Sequence, residues 1–171
     1  MPTLKEAAAT FLSKERIAVT GVSRAPQNHG GNVVYQRLRQ RGYQVFAVNP
    51  NATEVEGDPC YPNLSSIPGS VEAVVIATRP EYAQITMEEC AELGIGHVWM
   101  HRSFGAGSFS ESAARYGRAH GIEVIEGGCP LMFEPTSDPF HKVLRGVCKL
   151  AGTAPRDVPA AQKEQLASTT A

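Results

Sequence analysis

No stretch of this sequence approaches the roughly 20 consecutive apolar residues that a membrane-spanning helix needs. Met1–Lys14 lacks a basic stretch followed by a long apolar core, so no secretory signal is expected there. Nor is there a C-x-x-C pair. The four cysteines, Cys60, Cys90, Cys129 and Cys148, are scattered without zinc or disulfide spacing, which points to reduced thiols in a cytoplasmic protein. Charge of one sign is missing too. A net charge of −1 supplies no global field for nucleic acid, so an anionic ligand has to be held by a local cluster of donors. No H-x-x-x-H motif or His/Cys cluster supports a metal site.

What is present is a chain of 171 residues, 42% hydrophobic and 19% charged, which suits one globular domain. Short β-branched runs alternate with amphipathic stretches. Ile17–Val22, Gln44–Val48, Ala73–Ala77, His97–Met100 and Ile122–Ile125 read as strands, most of them closed by Gly or Pro. Helices are expected over Thr3–Ser13, Asn32–Arg41, Pro80–Leu93, Ser110–His120 and Pro139–Leu150, several of them stopped by glycine. Residues 51–70, dense in Pro and Gly, read as a long irregular connection with room for one short strand and one helical turn. The alternation predicts an α/β fold: a Rossmann-like doubly wound parallel sheet of about five strands with flanking helices, in three αβα layers. The domain is expected over residues 1–151, and 152–171, rich in Ala, Pro, Thr and Gln, as a mobile tail.

In an open parallel sheet, ligands bind outside the carboxyl ends of the strands. That rule selects Gly21, Val22, Ser23 and Arg24 after the first strand, followed by Asn28, His29, Gly30 and Gly31. It selects Asn49, Pro50 and Asn51 after the second strand, and Ala77, Thr78, Arg79 and Pro80 after the third. Met100, His101 and Arg102 end the fourth, and Gly127, Gly128, Cys129 and Pro130 follow the fifth. Arg24, Arg79 and Arg102 offer planar donor forks suited to phosphate oxygens, if they converge on one edge rather than standing as solvated loop residues. Gly21 permits a tight turn and a close backbone approach, Ser23 can donate from its hydroxyl and its N–H, and the helix near Asn32 presents a positive dipole end. The loop is no dinucleotide fingerprint. G-x-G-x-x-G would need glycine where Ser23 and Pro26 stand, and the second strand ends in Asn49-Pro50-Asn51 rather than the Asp or Glu that binds the NAD ribose. NADP passes that one criterion.

Ile17-Ala18-Val19-Thr20-Gly21-Val22-Ser23, Gly42-Tyr43-Gln44-Val45-Phe46-Ala47-Val48-Asn49-Pro50 and Gly57-Asp58-Pro59-Cys60-Tyr61-Pro62-Asn63-Leu64 together resemble the small stand-alone CoA-binding domain proteins, which are similar to the nucleotide-binding domain of succinyl-CoA synthetase α subunits. The resemblance runs from about Phe11 to Phe133. It implies coenzyme A, or an acyl-CoA, lying across the strand ends. Gly21–Arg24 would hold the diphosphate, and Asn49–Asn51 would flank the adenosine and its ribose phosphate. Ala77–Pro80 would line the middle, and Trp99, Met100 and His101 would approach the pantetheine arm. The chain departs from that pattern at His101, where relatives tend to have Gln, and at Gly127-Gly128 before the cysteine.

Catalytic candidates are few. Cys129 can meet a CoA thiol as a mixed disulfide, but a small buried apolar residue is the weightier reading, as it is for Cys60. His101 can act as an acid/base group or simply bond a nearby carbonyl. His97, His120 and His141 fall at element boundaries, Trp99 reads as core, and Glu126 and Glu134 have no diagnostic spacing. Expected, then, is a CoA carrier, sensor or regulatory module without catalysis of its own. It has no nucleic-acid or membrane partner, and pairing with a second copy is left open. An NAD(P)-dependent oxidoreductase or other nucleotide-binding enzyme is the alternative, and an interaction module with a vestigial pocket a third reading.

Overall fold

A computed structural model describes residues 1–25, 30–102, 107–137, 139–150 and 157–161, without the side chain of Lys149. Asn28 and His29 lie outside the described residues, as do 103–106, 151–156 and 162–171.

Helix α1 (Leu4–Leu12) is opened by a capping box. The Thr3 hydroxyl accepts the Glu6 N–H, and the Glu6 carboxylate takes the Thr3 N–H at 2.8 Å. It leads into β1 (Arg16–Thr20), α2 (Gly30–Gln40) and β2 (Gln44–Val48). A small hairpin of β3 (Glu54–Val55) and β4 (Asp58–Tyr61) follows. Then come β5 (Ala73–Ile76), α3 (Pro80–Glu92), β6 (His97–Met100), α4 (Glu111–Ala119), β7 (Glu123–Glu126) and α5 (Pro139–Leu150). The sheet has seven strands in the order β3-β4-β2-β1-β5-β6-β7, all parallel except the β3–β4 pair.

The expectation of about five strands is corrected to seven. The five long apolar strands are where they were expected. The two extra ones come from 51–70, where pairing with β2 turns a Pro- and Gly-dense segment into an edge hairpin. Helix α2 begins at Gly30, two residues ahead of the expected start at Asn32.

Each central strand is buried on both faces, which is why it reads as an unbroken apolar run. Ile17, Val19, Val75, Trp99 and Ile125 face the layer of α1, α2 and α5. Ala18, Val74, Ile76, Val98, Met100 and Val124 face α3 and α4. The fully enclosed Trp99 packs edge-on to Phe11 at 5.4 Å and donates its indole N–H to the Gly127 carbonyl at 2.9 Å. Within the stretch 152–171, the described residues 157–161 lie against the N-terminus. Asp157 bridges to Thr3, the Val158 N–H bonds the Pro2 carbonyl at 3.0 Å, and the Val158 side chain is enclosed in the core.

Candidate functional site

The chain leaves β1 on one side toward β2 and on the other toward β5, so the topological switch point lies between the ends of β1 and β5. Gly21 sits there with φ +75°. A Cβ on Gly21 would lie 2.6 Å from the Ala77 carbonyl oxygen, and one on Gly31 would lie 2.9 Å from the Gly21 carbonyl oxygen. The two glycines therefore let the β1 loop, the first turn of α2 and the end of β5 close on one another. The close approach expected at Gly21 is real, but it is to the protein's own Ala77 main chain.

Side-chain amides order the loops. Asn49 donates from Nδ2 to the Val22 carbonyl at 2.8 Å and accepts the Asn51 N–H at 2.9 Å, so the end of β2 is tied to the end of β1. Asn32, buried at the start of α2, accepts the Ser23 N–H at 2.8 Å and donates to the Ser23 carbonyl at 2.8 Å. The Ser23 N–H expected to face phosphate is thus already bonded. The Ser23 hydroxyl accepts the Ala25 N–H at 3.1 Å. Asn32 escaped the sequence reading because nothing nearby in the chain shows that its amide meets a residue nine positions earlier.

The three arginines stand on one edge, at the ends of β1, β5 and β6, but in different states. Arg24 is exposed and has no ion-pair or hydrogen-bond partner among the described residues. It borders a cleft of about 470 Å³ together with Pro50, Asn51, Thr53, Glu54 and Cys60. Arg79 pairs with Glu81 at 3.3 Å and lies over the Tyr82 ring. Arg102 lies over the Phe109 ring, 5.9 Å from its centroid, and bridges to Gly128. Next to Arg79 at the end of β5 is Thr78, whose hydroxyl is buried without a hydrogen-bond partner among the described residues. An orphaned buried donor is uncommon in a finished structure and calls for an explanation.

The far end of the rim is packed. Met100 is fully enclosed against the α3–α4 layer, so its side chain is out of reach of a ligand at the strand ends. His101 lies against the first turn of α2, its Cε1 2.9 Å from where a Gly30 Cβ would stand. Burial, with a smaller contribution from the charge of His141, pushes its pKa down to about 4, which makes it a neutral imidazole. Cys129 and Cys60 are buried, and burial raises the Cys60 thiol above its ordinary value. The carboxylates of Glu126 and Glu134 do not form a pair: Glu126 binds Arg118 and Glu134 binds Lys142. Among the described residues no helix is long and apolar enough to cross a membrane.

Comparison with known proteins adds four observations. Residues 15–135 match the family described as CoA binding domain. An ADP-forming acetate–CoA ligase II of Archaeoglobus fulgidus is 35% identical over 119 residues, 64% of this chain. An uncharacterized Bacillus subtilis protein, YneT, is 27% identical over 75% of this chain and 91% of its own length. Among solved structures, a hypothetical protein from Pyrococcus horikoshii superposes with a TM-score of 0.68 at 26% identity, covering 74% of this chain and 87% of that one. The chain spans only 17% of the Archaeoglobus ligase, and 21% of a related Pyrococcus furiosus subunit.

Proposed function

This chain belongs to the family of CoA binding domains, and from that premise we propose that it binds coenzyme A or an acyl-CoA across the ends of β2, β1 and β5. The observation that carries the proposal is a pair of features on this rim: an exposed Arg24, unpaired among the described residues, beside a cleft at the end of β2, and at the end of β5 a buried Thr78 hydroxyl with no partner among the described residues. These donors fit a nucleotide with phosphates. Arg24 and the first turn of α2 would hold the diphosphate. Pro50 and Asn51 would flank the adenosine in a cleft whose size lies in the range of small-molecule sites, roughly 300–1,000 Å³. The Thr78 hydroxyl would gain the acceptor it lacks.

The chemistry on the rim supports reading the role as non-catalytic, that of a carrier, sensor or regulatory module. His101 is neutral and packed, Cys129 is enclosed, and Glu126 and Glu134 each bind a cation of their own. Ligase chemistry like that in the names of the longer relatives would draw on parts outside the fraction this chain spans. An NAD(P)-dependent oxidoreductase is the weaker reading, since β2 ends in amides and the loop lacks the glycine fingerprint.

Calorimetric titration and thermal shift with CoA, acetyl-CoA, NAD, NADP and ATP test the proposal. Stabilisation by CoA species alone is expected, about 2.7 kcal/mol at a concentration 100 times Kd. Stabilisation by NADP in place of CoA favours the oxidoreductase. A flat response across the panel defeats both.

A further inference from the structure

Glu56 occupies an unfavourable backbone position. It and Gly57 form the two-residue turn of the β3–β4 hairpin, between the paired Val55 and Asp58. Both have positive φ, 54° and 79°. Such turns favour Asn, Asp or Gly at the first position, because a longer side chain gains nothing there to offset the left-handed backbone. A glutamate in this place has a contact elsewhere that holds it. Its Oε1 accepts the Asn32 side-chain N–H at 2.6 Å, and its Oε2 accepts that of Gln36 at 2.6 Å. The Arg39 guanidinium bonds its carbonyl at 3.1 Å.

Asn32 is therefore held from both sides. Its Nδ2 is shared between Glu56 and the Ser23 carbonyl, and its Oδ1 takes the Ser23 N–H. An amide side chain can be rotated or flipped at little cost unless its neighbours distinguish its two ends. The Glu56 carboxylate accepts only, so it requires the NH₂ group to point its way. That leaves the Asn32 oxygen facing the Ser23 N–H, and Arg24 follows directly in the chain.

We propose that Glu56 is a positioning residue for the nucleotide loop. Through Asn32 it fixes the conformation of Ser23 and Arg24 without touching the ligand, so the edge hairpin tunes CoA affinity. The inference rests on the reading of this rim as a CoA site.

The test compares Glu56→Ala with Asp58→Asn. Asp58 also ties the hairpin to α2, through the Tyr35 hydroxyl at 2.7 Å and through Arg39, but it does not touch Asn32. Two quantities are read on the full chain: the CoA Kd by calorimetry, and the hydrogen-exchange rate of the Ser23 amide without ligand. Glu56→Ala is expected to weaken CoA binding about tenfold and to speed Ser23 exchange at least fivefold. Asp58→Asn is expected to lower the melting temperature but to leave both quantities within twofold. Asn32→Asp, which sets two carboxylates face to face, should weaken binding further. Adding Glu56→Gln to it restores a donor between the positions and should recover at least threefold. A wild-type chain that binds CoA while Glu56→Ala binds equally well overturns this inference alone, as does an equal loss in Asp58→Asn. A wild-type chain that does not bind CoA overturns the functional proposal as well.

Discussion

The rim of strand ends is built in two different ways. From β2 to β1 the Gly21 N–H bonds the Val48 carbonyl at 3.1 Å, and side-chain amides add to that main-chain link: Asn49 to Val22, Asn32 to Ser23, and Glu56 behind Asn32. From β5 through β6 to β7 the loops are joined by main chain and by packing. The His101 N–H bonds the Ile76 carbonyl at 2.9 Å, the Gly127 N–H bonds the Met100 carbonyl at 3.1 Å, and the Arg102 N–H bonds the Gly128 carbonyl at 2.9 Å. Trp99 and Met100 close that half from within. A surface ordered by polar side chains keeps charged groups at its face, and Arg24 is one of them. A surface sealed by packing presents little beyond its main chain. On the proposed function, ligand recognition belongs to the β2–β1–β5 side and structural closure to the β6–β7 side.

The largest effect should come from the seam between the halves. Gly21→Ala places a Cβ 2.6 Å from the Ala77 carbonyl oxygen, at a φ of +75°. Left-handed strain and the forced shift together should cost about 2–4 kcal/mol, read in urea unfolding. CoA binding should fall with it, since Ala77 and the loop separate. A variant as stable as wild type would mean that the loop and β5 move independently, and the contrast between the halves would lose its boundary.

The long strands could be read from the sequence because each is apolar on both faces and most are closed by a turn residue. Val19-Thr20-Gly21 and Ala47-Val48-Asn49-Pro50 announce both a strand and its end. The strand-end rule then selects Arg24, Asn49 and Thr78 with no knowledge of tertiary structure. The hairpin was not legible. Val55-Glu56-Gly57-Asp58 has a glutamate where the turn signal would be Asn or Asp, and Pro59 argues against a strand. Its pairing is decided by β2, and Glu56 is held by a helix twenty residues earlier. Asn32 was hidden for the same reason. Its role depends on the path of a loop that the sequence does not specify. His101 could be placed at the rim but not in its environment, because the first turn of α2 that lies against it is some seventy residues earlier in the chain.

Arg24→Ala sharpens the comparison without disturbing the fold. The side chain is exposed and unpaired among the described residues, so stability should change by no more than about 0.5 kcal/mol. CoA affinity should fall about tenfold, or about 1.4 kcal/mol, by calorimetry. Arg79→Ala, which removes a cation already shared with Glu81, should cost less. The reverse ranking would move the diphosphate from the end of β1 to the end of β5.

The smallest effect belongs to the sealed half and is a stability effect with a definite sign. His101 is neutral in the fold because burial first, and the charge of His141 second, lower its pKa to about 4. In the unfolded chain it titrates near its ordinary value of about 6.5. Between those two values the unfolded state binds the extra proton, so the contribution is complete above about pH 6.5 and is lost as pH falls toward about 4. From about pH 7 to about pH 5.5 the loss should be on the order of 1 kcal/mol. Carboxylates held low by hydrogen bonds, such as Asp58 beside Tyr35 and Arg39, also give up stability in acid. The informative quantity is therefore the difference between wild type and His101→Gln, measured by urea unfolding at both pH values. The variant should lose less on acidification, because it carries no imidazole to protonate, while its CoA affinity at neutral pH should stay within about threefold. A His101→Gln chain with the acid sensitivity of wild type would place the imidazole in water. A large loss of CoA affinity would bring the β6 end into the binding surface and remove the division of labour between the two halves.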